Sequence, residues 1–156
     1  MFTEEQQRIY DGLKSIGESL ANFYVDAVRM IDPACTISSK ANIIAHMARE
    51  IDGGLRDVFA PDKIAKSKES LLSGGKRGHF ASILAAIGKS DPENLLAKEW
   101  HSIASNFARI AHRAEIHLSS KDVGEMLELW RKYEKVLFVV VGSFLSITNR
   151  LDVLLG

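Results

Sequence analysis

Apolar residues recur at steps of three and four along nearly the whole chain, which is the helical period, and no stretch sustains the alternation of a half-buried strand. Ile9, Leu13, Ile16, Leu20, Phe23, Ala27 and Met30 form one stripe behind a Thr3/Gln6 capping box, and Pro33 stops it near Ile31. A single first helix of about 27 residues, about 40 Å long, is predicted. The second stripe is Ile44, Met47, Ile51, Leu55 and Val58, after a cap at Ser38 or Ser39 and before Pro61. Gly53-Gly54 sits inside it at a cost of about 1 kcal/mol per glycine relative to alanine, which implies a close helix crossing or a kink.

Residues 62–78 predict a short helix, "DKIAKSKESLL", and then a glycine-rich basic loop, "SGGKRG". "HFASILAAIG" reads as a brief helix ended by Gly88 in the left-handed conformation. Asp91-Pro92 reads as a cap with proline at the first helical position. The stripe Leu96, Trp100, Ile103, Phe107, Ile110 and Ala114 then runs to a helix end near His117. Ser119 with Asp122 caps the last helix. There Val123, Met126, Trp130, Tyr133, Leu137, Val140, Phe144, Ile147 and Leu151 make an unbroken heptad seam. Val136, Val139, Val141 and Leu145 add apolar residues on its other faces, so this part is expected to be buried all round.

The fold expected is all-α: an up-down bundle of about five helices in one domain over residues 1–156, with the long first and last helices as its spine. The apolar close, "RLDVLLG", predicts either the N-terminal domain of a longer protein or an end that docks on a partner.

Composition narrows the function classes. Lys+Arg and Asp+Glu balance at 20 each, so any nucleic-acid partner needs a local patch. Residues 62–78, with five bases against two acids, are one such place. Cys35 is the only cysteine, which rules out an internal disulfide and a cysteine-based metal cluster. The acidic, amphipathic start is no secretory signal, and the apolar run Val136–Ile147 is shorter than the roughly 20 residues a membrane span needs. A cytoplasmic protein with no membrane contact is expected.

Three places carry candidate chemistry. In "SNFARIAHRAEIH", Asn106, Arg109 and Arg113 lie opposite the apolar stripe at 100° per residue, with Ser105, His112 and His101 along the same polar side. Exposed helix faces favour Glu and Lys, whereas Asn, Arg and His suit phosphate contact or proton transfer. In "AREIDGGLRDVF", Arg49 and Arg56 share a face with Gly53 between them, Asp52 and Arg56 make an i,i+4 pair, and Glu50 sits at the edge of the stripe where it needs a cationic partner. The structural reading, in which Glu50 orders a neighbouring helix through an arginine, is preferred here; the functional reading has Arg49 and Arg56 join the Arg109/His112 face. Lys76 and Arg77, in the basic loop, have the charge to steer an anionic partner, although the loop lacks the phosphate-loop motif and a preceding strand. No metal-ligand spacing occurs, and no glycine-flanked nucleophilic serine, so neither a metal, a cofactor nor a hydrolase triad is expected.

"IIAHMAREIDGGLRDVF" resembles the Glu/Arg-bearing central helix of the HEPN superfamily, and "SNFARIAHR" is similar to its late-helix motif, Arg-Asn-x-x-Ala-His. These are small helical bundles of prokaryotic toxin–antitoxin and phage-defence systems. Active members are metal-independent ribonucleases whose Arg, four to six residues and His are usually completed across a homodimer. The resemblance matches His112 to the His, Ala111 to the residue before it and Asn106 to the Asn. The family's arginine has no counterpart here, because Phe107 stands five before His112 and Arg109 only three before. The expected function is therefore a HEPN-like interaction module of a defence or toxin-type system, not itself catalytic. It would associate with a second copy or a partner protein through apolar helix faces, with RNA as a further partner. The first alternative is an endoribonuclease using His112 with Arg109 or Arg113. The second is a ligand-sensing bundle with a pocket at Gly53-Gly54 lined by Trp100 and Trp130.

Overall fold

A computed structural model describes residues 2–60, 75–89, 91–112 and 120–155; the side chains of 75–78, 120–123 and 143–154 lie outside that description. Its helices are α1 (Glu4–Ile16), α2 (Glu18–Ile31), α3 (Lys40–Phe59), α4 (Gly75–Ala86), α5 (Leu95–His112) and α6 (Ser120–Leu155), with no strand among the described residues. The all-α bundle is as expected. Its buried residues form one cluster to which all six helices contribute.

The predicted first helix is two helices. Gly17 adopts an extended conformation (φ −172°, ψ 131°) and the chain turns there, so α2 packs back on α1 and also on α3. Apolar periodicity runs unbroken across Gly17, which is why the stripe alone conceals the turn. The Thr3/Gln6 capping box is present, with bonds of 3.0 and 3.1 Å. Gln6 Nε2 donates to Glu134 at 3.1 Å, and a β-carbon on Gly12 would lie 2.7 Å from the Val141 carbonyl oxygen. These two contacts advance together along both chains, so α1 lies parallel to α6 with backbones touching at Gly12.

Gly53 and Gly54 differ in their cause. A β-carbon on Gly54 would stand 2.2 Å from Leu20 Cδ2, so that glycine permits the close α2–α3 crossing. A β-carbon on Gly53 would meet nothing nearer than Arg56 Nη2 at 3.9 Å. The helix continues through both residues, so the pair marks a crossing and not a break.

Two other boundaries move. The "SGGKRG" stretch is not a loop throughout: Gly75–Gly78 already belong to α4, whose buried Phe80, Ile83 and Leu84 pack it on α3 and α5. Such burial outweighs the helix-breaking cost of glycine, a weak local preference. Gly88 ends α4 as expected, at φ +74°, with Lys89 N donating to Leu84 O and Gly88 N to Ala85 O. Asp91-Pro92 forms a turn ahead of α5 instead of its first helical step. The Asp91 carboxylate accepts from Glu93 N and Leu95 N at 3.0 and 3.1 Å, and the helix begins at Leu95.

Met126, Trp130, Tyr133, Leu137 and Val140 of the predicted seam are buried, as are Val136 and Val141. Val139 is 38% exposed, which corrects the expectation of burial on every face. The most extensive packing of α6 is on α1 and then α5, with Trp130 and Tyr133 also reaching α2 and α3, and the Val139 side of the helix stays open. At the centre Tyr24 stacks on Trp130 at 5.9 Å, and Phe107 meets Tyr133 edge-on at 5.4 Å.

Candidate functional site

Two polar networks brace the bundle. The Asp52 carboxylate accepts from Trp100 Nε1 at 3.0 Å and from the Tyr133 hydroxyl at 2.8 Å, tying α3 to α5 and α6. Asp52 is thus turned inward, and the expected helix pair with Arg56 gives way to these bonds. Their donors are buried and worth more to satisfy than an exposed ion pair. The second network joins Tyr24 and Gln6 to the Glu134 carboxylate, each donating to it. Burial raises the Glu134 carboxyl above its usual range, against the opposite pull of those two hydrogen bonds, and burial together with the Glu134 charge raises the Tyr24 phenol. Tyr133 is raised for the same reasons, with Asp52 as its anion.

With Asp52 facing inward, the other polar residues of α3 face out. His46, Arg49, Gly53 and Arg56, at steps of three, four and three, form one line along the helix. They line a cleft of about 530 Å³ closed on one side by Ser19, Leu20 and Phe23 of α2 and on another by His79 and Phe80 of α4. Glu50, Asp52, Gly54 and Asp57 complete the lining. Glu50 is exposed, which corrects the expectation that it orders a neighbouring helix; the inward acid of α3 is Asp52, two residues on. Arg56 is half-buried. Its Nη2 reaches Asp57 Oδ1 at 3.5 Å, while its Nε is buried with no hydrogen-bond partner among the described residues.

The α5 candidates stand elsewhere. As the helical projection predicts, Arg109 and His112 are exposed and turned from the core, and Asn106 is half-buried beside them. Arg109 Nη2 donates to Asn106 Oδ1 at 3.3 Å. None of the three lines the α3 cleft. The functional reading in which Arg49 and Arg56 join the Arg109/His112 face is therefore corrected: the α3 line shares a cleft with residues of α2 and α4, and Asn106, Arg109 and His112 are not among its lining. His101 leaves the row as well. Its ring packs edge-on against Phe80 at 6.4 Å, with Nδ1 buried and unpartnered among the described residues. Arg113 and the side chains of Lys76 and Arg77 lie outside the described residues.

A pocket does lie at Gly53-Gly54, but not with the expected lining. Trp100 and Trp130 are fully buried, held by Asp52 and by ring stacking, and Phe23 and Phe80 take the places facing the cleft. The residues not singled out from sequence are His46 and His79. For His46 the signal was available, since it extends the Arg49–Gly53–Arg56 line by one step. His79 reaches the cleft only through tertiary packing of α4.

Among the described residues, no group of three His, Cys, Asp or Glu side chains is placed to hold a metal ion, and no helix is long and apolar enough to cross a membrane. No family model, curated protein or solved structure matches the chain.

Proposed function

We propose that this chain is a HEPN-like helical interaction module of a prokaryotic defence or toxin-type system, one that pairs with a second copy of itself and does not cleave RNA. The observation that supports it most is the reach of α6. Gly12 meets Val141, so the end of α1 at Ile16 comes level with about residue 145, and α6 runs on to Leu155. About 15 Å of helix extends past α1. The sequence there keeps the apolar heptad through Ile147 and Leu151. A helix seam continuing beyond its intramolecular partner suits a second helix from another copy. The exposure of Arg109 and His112, neither of which lines the α3 cleft, supports the non-catalytic part, because acid–base catalysis gains from a positioned and enclosed substrate.

Light scattering on the purified chain, beside the Ile147→Glu/Leu151→Glu double variant, tests the reading. A dimer that the double variant converts to a folded monomer is expected. A wild-type monomer across the accessible concentration range overturns the pairing. In EDTA, wild type and His112→Ala are expected to leave RNA equally intact. Cleavage that depends on His112 would establish the ribonuclease reading instead, which the adjacency of Arg109 and Asn106 to His112 favours.

A further inference from the structure

Gly53 has no packing explanation. It sits mid-helix, where glycine costs stability relative to alanine, and a methyl group there would meet only ordinary contact distances. Its neighbour Gly54 is fully explained by Leu20. What Gly53 does is leave the backbone of α3 bare on the floor of a cleft, between two arginines. Glycine at such a place is how a chain lets a ligand approach its backbone. The second unexplained group is Arg56 Nε, a buried donor with no partner among the described residues. Buried N–H groups are nearly always satisfied, so this one points to an acceptor that enters the cleft.

We infer that the α2–α3–α4 cleft binds a small phosphate monoester bearing hydroxyl groups, with its phosphate between Arg49 and Arg56 over Gly53. Two guanidiniums present forked donors suited to phosphate oxygens. The cleft volume of about 530 Å³ falls in the range of small-molecule sites. The lining also carries three carboxylates, Glu50, Asp52 and Asp57, which would repel a polyanionic strand; Glu50 and Asp57 can accept hydrogen bonds from the hydroxyls of a small ester, while Asp52 is engaged by Trp100 and Tyr133. His46 and Ser19 add polar groups on the same rim. This inference does not depend on whether the chain pairs with itself.

Calorimetric titration of the full chain with ribose 5-phosphate and glucose 6-phosphate tests it, with ribose, inorganic phosphate and a short unstructured RNA lacking terminal phosphates as comparisons. Saturable one-to-one binding of a sugar phosphate is expected, tighter than either of its parts. Arg49→Ala and Arg56→Ala are each expected to weaken it about tenfold. Arg56→Lys is expected not to restore it, since lysine has no donor at the Nε position. Gly53→Ala is the sharpest arm: its melting temperature should equal or exceed that of wild type while sugar-phosphate affinity falls. No saturation by either ester up to about 10 mM, or binding indifferent to both arginines, overturns the inference. So does Gly53→Ala binding as tightly as wild type, or RNA binding through these arginines more tightly than the esters.

Discussion

The molecule carries two arginine-bearing polar faces, and they differ in shape more than in composition. On α5, Arg109 and His112 are exposed beside the half-buried Asn106, to which Arg109 donates a hydrogen bond. On α3, Arg49 and Arg56 flank Gly53 in a cleft walled by two other helices, with the exposed His46 on its rim. From the sequence the α5 row looks richer in chemistry and the α3 line looks structural. The fold reverses that ranking, because a concave setting partly desolvates its charges and strengthens what they do. Residue type says which groups are capable of chemistry, and the neighbouring helices decide which of them are positioned for it.

The difference rests on Asp52, whose inward bonds turn the arginine line of α3 outward. Asp52→Ala leaves the Trp100 indole N–H unpaired in the core, while Tyr133 retains the Ala48 carbonyl at 3.2 Å. A loss of about 3 kcal/mol is expected by urea unfolding, and Asp52→Asn, which keeps an acceptor, should cost less. A loss near zero would show that the network does not set the orientation of α3.

The glycines come next in size. Gly12→Ala pushes against the Val141 backbone and is expected to cost about 2 kcal/mol. Gly54→Ala meets both methyls and the branch carbon of the buried Leu20, a side chain and not a backbone, and should cost about 1–2 kcal/mol. Gly53→Ala should stabilise by up to about 1 kcal/mol. Thermal unfolding of the three variants orders them, and a destabilised Gly53→Ala would give that glycine a packing role after all.

Glu134 supplies a pH dependence far from either face. Burial raises its carboxyl, so the folded state holds a proton that the unfolded state releases. Stability attributable to this group is full below the ordinary value of 4.5 and is lost as pH rises through the folded value. Glu134→Gln, whose amide oxygen still accepts from Tyr24, should flatten that slope in urea unfolding carried out between about pH 4 and pH 7. The smallest effects belong to the α5 row: Arg109→Ala and His112→Ala should each shift stability by less than about 0.5 kcal/mol.

Much of this architecture is legible in the sequence. The stripes, the Thr3/Gln6 box, the Pro33 stop and the Gly88 terminator report local physics, and local physics survives folding. The turn at Gly17 was hidden because apolar residues keep their spacing across it. Gly12 gave no signal, since its cause is the backbone of a helix more than a hundred residues away. The His46–Arg49–Gly53–Arg56 line was readable, but its depth was not. That depth comes from Leu20, Phe23 and Phe80, which are ordinary core residues until three helices meet around α3.

The central claim is that the α3 cleft, and not the α5 row, is where this chain binds a small ligand. Amide chemical shifts followed by NMR during titration with ribose 5-phosphate address it most directly. Saturable changes are expected at Arg49, Gly53 and Arg56, with Asn106, Arg109 and His112 unmoved. Changes confined to the α5 row, or none at either face, would contradict it.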